Sequence, residues 1–229
     1  MNNAWEDLYS EKQEKAMMKF PFPIVIELVN FYSKKYPNIQ PKNINVLEVG
    51  CGSGSNIKYL AELGYNVYGI DISETAVNYA KTSFLQHNLK GNIQTASVDS
   101  LPFENDFFHI VIDQGVLMCV NEEVYKQAIN EMHRVLSYKG MALLTPHSEI
   151  SSTSIRLKQD DNENNYLFKD SAIYINSITL NAVVKILNNR FNIVYLRRND
   201  RTNYTISEDY KFITAESVDS VYHIFIEKI

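Results

Sequence analysis

The sequence predicts an α/β protein: a three-layer sandwich around a mostly parallel sheet of seven strands, the last one antiparallel. Three observations carry this expectation. Apolar strand-like runs alternate with segments of helical periodicity from about residue 44 onward, the pattern of a parallel sheet with helices on its faces. A glycine-rich turn, Gly50-Cys51-Gly52-Ser53-Gly54, separates the first strand from the helix after it. The 229 residues are 45% hydrophobic and 21% charged, enough apolar material for one sizeable core.

Taken in order, residues 1–40 predict a helical cap: an aromatic-rich helix from about Trp5 to Met18, then Pro21 and Pro23, then an amphipathic segment near Ile24 to Tyr32. A core over 44–145 follows. Its first strand is Ile44 to Val49, and Ile57, Leu60 and Ala61 recur at helical spacing until Gly64 ends the helix. The second strand, Val67 to Ile70, ends at Asp71, and Ser73 is positioned to cap a helix that buries Ala76, Val77 and Ala80. Ile93 to Val98 and Phe108 to Ile112 supply strands three and four, the fourth apolar enough to be buried on both faces. A helix from Glu122 to Leu136 reaches Gly140, and Met141 to Leu144 forms a short fifth strand stopped by Pro146.

Residues 148–176 are polar, with Asp160-Asp161-Asn162-Glu163-Asn164-Asn165 at their centre, and read as an exposed insertion over the substrate side. Tyr166, Phe168 and Tyr174 within it either line a substrate pocket or form a satellite apolar cluster. Residues 177–229 supply a last helix near Leu180 to Asn188 and two closing strands, Phe191 to Leu196 and Tyr222 to Ile226, separated by a polar stretch. One domain of 1–229 is expected.

Composition bounds the function. A net charge of -5 without a dense Lys/Arg block lacks the footprint of nucleic-acid binding. No apolar run reaches the roughly 18 residues of a membrane span, and the N-terminus lacks the basic and apolar regions of a signal peptide, so a cytoplasmic protein with no membrane partner is expected. Cys51 and Cys119 have no companions at metal or redox spacing, which predicts free thiols and no metal site.

The chemistry concentrates in the turn after the first strand. Glycines without Cβ atoms let the backbone turn sharply and approach a ligand, and the free N–H groups of a helix start favour a carboxylate or phosphate. An acidic side chain at the end of the next strand, here Asp71, is placed to accept from both hydroxyls of a ribose. Ser55 lies where the nicotinamide fingerprint has its last glycine, which weakens a dehydrogenase reading.

Val46-Leu47-Glu48-Val49-Gly50-Cys51-Gly52-Ser53-Gly54 resembles the first motif of class I, Rossmann-like, S-adenosylmethionine-dependent methyltransferases. Tyr68 to Ser73 is similar to the ribose motif, Val98-Asp99-Ser100-Leu101-Pro102-Phe103 to the adenine motif, and Met132-His133-Arg134-Val135-Leu136 through Gly140 to the helix and turn before the fifth strand. One departure is Phe108-His109, where the family often has Phe-Asp, which leaves local capping open.

The resemblance implies S-adenosyl-L-methionine as cofactor and S-adenosyl-L-homocysteine as product. It implies that Gly50, Cys51, Gly52 and Gly54 admit the methionine part, with Glu48 near its ammonium. Asp71 holds the ribose, Ile72 packs on the adenine, and Asp99, with Val98 and Ser100, recognises the adenine edge. The carbonyl of Asp113 or Gln114 touches the ammonium and the incoming nucleophile, and the N-terminal helix, which Trp5 and Tyr9 anchor on the domain, folds over the cofactor in similar methyltransferases, so either aromatic is placed to touch it. His147, just past the fifth strand, is the candidate general base, with a plain surface turn as the other reading. The expected activity is methyl transfer to an O or N atom of a small molecule by a monomer or homodimer. A nicotinamide-dependent oxidoreductase and a non-catalytic cofactor-binding module remain the alternatives.

Overall fold

The computed structural model describes residues 4–147, 165–168, 171–176, 180–187, 189–206 and 213–229, with side chains described outside Glu14, 165–176, 201–206 and 213–219. Seven strands form one sheet: β1 (Asn45–Val49), β2 (Asn66–Asp71), β3 (Asn92–Thr95), β4 (Phe108–Asp113), β5 (Leu136–Leu144), β8 (Phe191–Ile206) and β9 (Ile213–Lys228). Their order is β3-β2-β1-β4-β5-β9-β8. The first five pair in parallel, β9 runs antiparallel between β5 and β8, and β8 therefore runs with the first five.

Among the described residues six helices accompany them: α1 (Ala4–Lys12), α2 (Pro23–Lys35), α3 (Ser55–Glu62), α4 (Glu74–Gln86), α5 (Glu122–Val135) and α6 (Leu180–Leu187). The alternation of side chains along each strand sorts the core into two layers. Leu47, Val49, Ala142, Leu144, Ile224 and Ile226 face α5 and α6, while Val46, Met141, Leu143 and Phe225 face α2, α3 and α4. Strands covered on both faces are apolar throughout, as β4 shows in Ile110-Val111-Ile112, all fully buried.

Caps set the helix starts. Ser73 Oγ accepts the Ala76 N–H at 3.1 Å to open α4, and Asn121 Oδ1 accepts the Val124 N–H at 2.9 Å to open α5. His109 settles the departure entering β4: its Nδ1 accepts the Asn45 N–H at 3.0 Å, satisfying the first donor of β1.

Four boundaries differ from the expectation. The first helix stops at Lys12 and continues as a 3-10 turn over Gln13–Ala16, because α1 buries none of its side chains and has no core to extend along. β3 ends at Thr95, where its partner β2 runs out at Asp71. β5 begins at Leu136, since Leu136 pairs with Phe108 and Met141 with Ile110, and residues 137–140 bulge between them with Lys139 at φ 62°. β8 and β9 are 16 residues each, so the polar stretch between the expected strands continues the ladder.

Of the 148–176 segment, Asn165–Phe168 (β6) and Ser171–Asn176 (β7) form a separate antiparallel pair, and β7 runs beside α1 and the 3-10 turn at Leu117–Cys119. The rest, including Asp160 to Asn164, and the side chains of Tyr166, Phe168 and Tyr174, lie outside the description. Among the described residues no helix is long and apolar enough to cross a membrane.

Candidate active site

The strand order reverses between β1 and β4, and in open α/β sheets the crevice outside the carboxyl ends at such a switch point collects ligands. A cavity of about 480 Å³ opens there, walled by Gly50, Asp71, Ile72, Val98, Gln114 and Val116 and roofed by Trp5 and Tyr9 from α1. A smaller pocket of about 150 Å³ adjoins it and is lined by Glu48, Cys51, Gly52 and Asn56. Tyr9, Gly50 and Gln114 line both.

The turn takes its shape from backbone that only glycine adopts freely: Gly50 and Gly52 have φ of 62° and 51°. A Cβ on Gly52 would lie 2.7 Å from the Tyr9 hydroxyl, so the α1 aromatic closes directly on the turn. Burial and the nearby Asp71 carboxylate raise the Tyr9 hydroxyl above its ordinary range, leaving it a protonated donor. Gly54 lies outside both pocket walls; at φ 80° it is the N-cap of α3 and packs near Ala80. Burial, reinforced by Glu48, also pushes the Cys51 thiol well up, so it is a small packing group and not a thiolate.

Asp71 ties the turn to the following helix. Its Oδ2 accepts the Gly52 N–H at 2.8 Å and its Oδ1 accepts the Ser73 N–H at 2.9 Å. Burial raises its carboxyl, and these amides act in the opposite direction. Each oxygen keeps a lone pair for a ligand, because a carboxylate offers about four acceptor sites.

Glu48 sits behind the turn at 2% exposure. Asn56, unremarked in the sequence, donates from Nδ2 to Glu48 Oε1 and accepts the Phe22 N–H at 2.8 Å, linking the cap to the site. Glu48 Oε2 and Gln114 Oε1 are buried and have no hydrogen-bond partner among the described residues. Burial pushes Glu48 up to about 8, with Asp71 adding to the rise and the Asn56 bond opposing it. A raised carboxyl binds its proton more tightly in the folded state. Its stabilising contribution is therefore complete below the ordinary value of 4.5 and is lost as pH rises towards 8. A ligand cation at Oε2 lowers that value, so binding of S-adenosylhomocysteine at pH 7 releases about one proton. Calorimetry in phosphate and in Tris measures it; identical enthalpies in the two buffers would exclude a titrating Glu48.

Asp113 does not line either pocket. It is 1% exposed, and its Oδ1 accepts the Val116 and Leu117 N–H groups, both at 3.0 Å. Burial raises its carboxyl to about 6. Thr145 completes the brace: its Oγ1 donates to the Asp113 carbonyl at 3.1 Å and accepts the Gly115 N–H at 2.8 Å. Asp113 thus shapes the loop that presents Gln114 and Val116.

Of the residues expected at the site, Trp5, Tyr9, Gly50, Asp71, Ile72, Val98 and Gln114 wall the main cavity. Glu48, Cys51 and Gly52 wall the smaller pocket. Asp99 and Ser100 do not reach either. The chain bends as β3 ends, so Ala96 and Ser97 join Val98 at the wall and Ser100 is exposed. His147 is also outside both walls: it bridges Val221 of β9 and is 9% exposed, held against the sheet beside the Tyr222 N–H bond to Pro146. The sequence reading missed Val120 and Val124, apolar at helical spacing, and Cys119, which extend the far wall.

The strand order and the switch-point cavity define a Rossmann-like α/β fold. A methyltransferase-domain family model matches residues 46–140. An uncharacterized methyltransferase of Schizosaccharomyces pombe is 34% identical over 114 residues, 49% of this chain and 77% of that protein. A ubiquinone biosynthesis O-methyltransferase of Bartonella tribocorum is 32% identical over 99 residues, 43% of this chain and 39% of that protein. The solved structure of a SAM-dependent methyltransferase from Methanosarcina mazei has the same fold, with a TM-score of 0.67, 21% identity, and coverage of 92% of this chain and 99% of that one. The chain belongs to the methyltransferase-domain family and has the fold of a solved SAM-dependent methyltransferase. Its match spans about two fifths of the first curated relatives.

Proposed function

We propose that this chain transfers the methyl group of S-adenosylmethionine to an oxygen or nitrogen atom of a small-molecule acceptor in the cytoplasm. The observation that carries the reading is the pairing of two unlike pockets at the turn: one small and polar with orphaned buried acceptors, one larger and mainly apolar with Asp71 at its edge. The residues fit the cofactor. Glu48 Oε2 and Gln114 Oε1 need a donor that the described residues do not supply, which an ammonium provides. Asp71 suits ribose hydroxyls, and Ile72, Val98 and Val116 suit an adenine face.

When bound, S-adenosylmethionine supplies an electrophilic methyl carbon on a sulfonium, so the protein's task is alignment and exclusion of water. The Asp113–Thr145 brace fixes the loop bearing Gln114, and Trp5 and Tyr9 cover part of the cavity. The roofed cavity supports a small acceptor over a protein side chain, and two free thiols suit a reducing compartment.

The test incubates the enzyme and methyl-labelled cofactor with metabolite and protein fractions of a cell extract. Label in a metabolite of one added methyl mass supports the proposal; label confined to protein overturns the acceptor class. A thermal shift produced by NAD and not by S-adenosylhomocysteine overturns the reaction itself.

A further inference from the structure

One carboxylate outside the pockets connects their roof to the body of the protein. Glu6 projects from α1 between the two cavity aromatics and reaches the first turn of α4. Its Oε2 accepts the Ser73 Oγ–H at 2.7 Å and the Thr75 N–H at 3.2 Å, and its Oε1 accepts the Thr75 Oγ1–H. These bonds hold the Glu6 carboxyl below its ordinary range, with the Thr75 hydroxyl as the first cause.

The helix α1 runs beside β7 and α4, but none of its own residues is fully buried, so it has no enclosed core to hold it. Trp5 and Tyr9 point into a cavity that a ligand must enter, so their contacts change whenever that ligand comes or goes. Among the described side chains, Glu6 makes an attachment that does not depend on the occupant. It also closes a circuit: Ser73 carries Glu6 on its hydroxyl and Asp71 on its amide, Asp71 carries the Gly52 amide, and Tyr9 covers Gly52.

We propose that Glu6 is a positioning residue that latches α1 onto α4, holds Trp5 and Tyr9 across the cofactor cavity, and sets the rate at which cofactor and product exchange. This rests on the cofactor assignment above. Exchange requires α1 to lift, and lifting requires the three Glu6 bonds to break. The latch acts on residence and not on the methyl transfer itself.

Trp5 is the chain's one tryptophan, so its emission reports the position of α1 directly. The experiment compares wild type, Glu6→Ala, Thr75→Val and the double variant for acrylamide quenching of ligand-free protein and for stopped-flow release of S-adenosylhomocysteine. Loss of capping bonds of this kind predicts release about five- to tenfold faster in Glu6→Ala, with Trp5 more readily quenched before any ligand is added. Thr75→Val, which leaves the Ser73 cap of α4 intact, gives a smaller change in the same direction, and the double variant adds little to Glu6→Ala. Unchanged quenching and unchanged release in a folded Glu6→Ala protein overturn the latch. Failure of wild type to bind S-adenosylhomocysteine overturns the cofactor assignment instead.

Discussion

Replacing Asp71 by alanine is expected to weaken S-adenosylhomocysteine binding by roughly 100- to 1,000-fold while leaving the chain folded. The carboxylate is the one acidic group on the wall of the main cavity. Hydrogen bonds to a charged group are worth about 1.5–3 kcal/mol each, and two ribose hydroxyls lost together give a change of this order. A second loss adds to it. The Gly52 and Ser73 amides both donate to Asp71, so alanine leaves the turn and the start of α4 without their common acceptor. Asp71→Asn separates the effects, because its single carbonyl oxygen satisfies one amide and its amide nitrogen faces the other as a donor. Calorimetric titration, with circular dichroism to verify folding, decides the matter; a Kd within tenfold of wild type for Asp71→Ala would remove Asp71 from the ribose role.

Gly50→Ala is expected to impair folding as well as binding. A Cβ built on Gly50 lies 2.0 Å from Val116 Cγ2, and the backbone stands at φ 62°. The left-handed conformation costs a non-glycine residue about 1–2 kcal/mol, and displacing a β-branched neighbour adds about 1–3 kcal/mol. For a chain of this size the sum lowers the melting temperature by about 10 °C. The methyl also intrudes where the two pockets meet, so cofactor binding falls with it. Adding Val116→Ala removes the clash and leaves the backbone strain, and it should recover about half the lost stability. Full recovery in the double variant would show that φ contributes nothing; none would show that Val116 moves aside freely.

What was legible in the sequence is what local chemistry dictates. The strand, glycine turn and Asp71 follow from short-range pattern, as do the Ser73 cap and the helix at Glu122, and the structure has each within a residue or two. Features set by a distant partner were not. β3 stops where β2 stops, and that limit is invisible in the strand-like residues from Ile93 to Val98. Asp99 reads as an adenine contact because motif order counts residues; the bend after Thr95 turns Ala96 and Ser97 to the wall instead. Asn56 and Glu6 look like ordinary polar helix residues, since what distinguishes them is the carboxylate of Glu48 and the hydroxyls of Ser73 and Thr75, far away in the chain. His147 drew attention by its place past β5, but the strand that pins it, β9, comes more than seventy residues later as the bridge to Val221 shows.

That strand has a further consequence. β9 follows β8 in the chain yet lies between β8 and β5, pairing Met141 with Glu227 and Leu144 with Ile224. During synthesis, β1 to β5 emerge able to assemble in succession, whereas β8 has no sheet neighbour until β9 appears. Until then the ladder edge of β5 stays open, and the apolar faces of Ala142 and Leu144 lack Ile224 and Ile226 beside them. Closing a pairing of such sequence separation is slow, and an unpaired apolar edge invites a second chain. The open edge of β5 is therefore where the nascent chain is expected to be most prone to aggregation until β9 pairs with it.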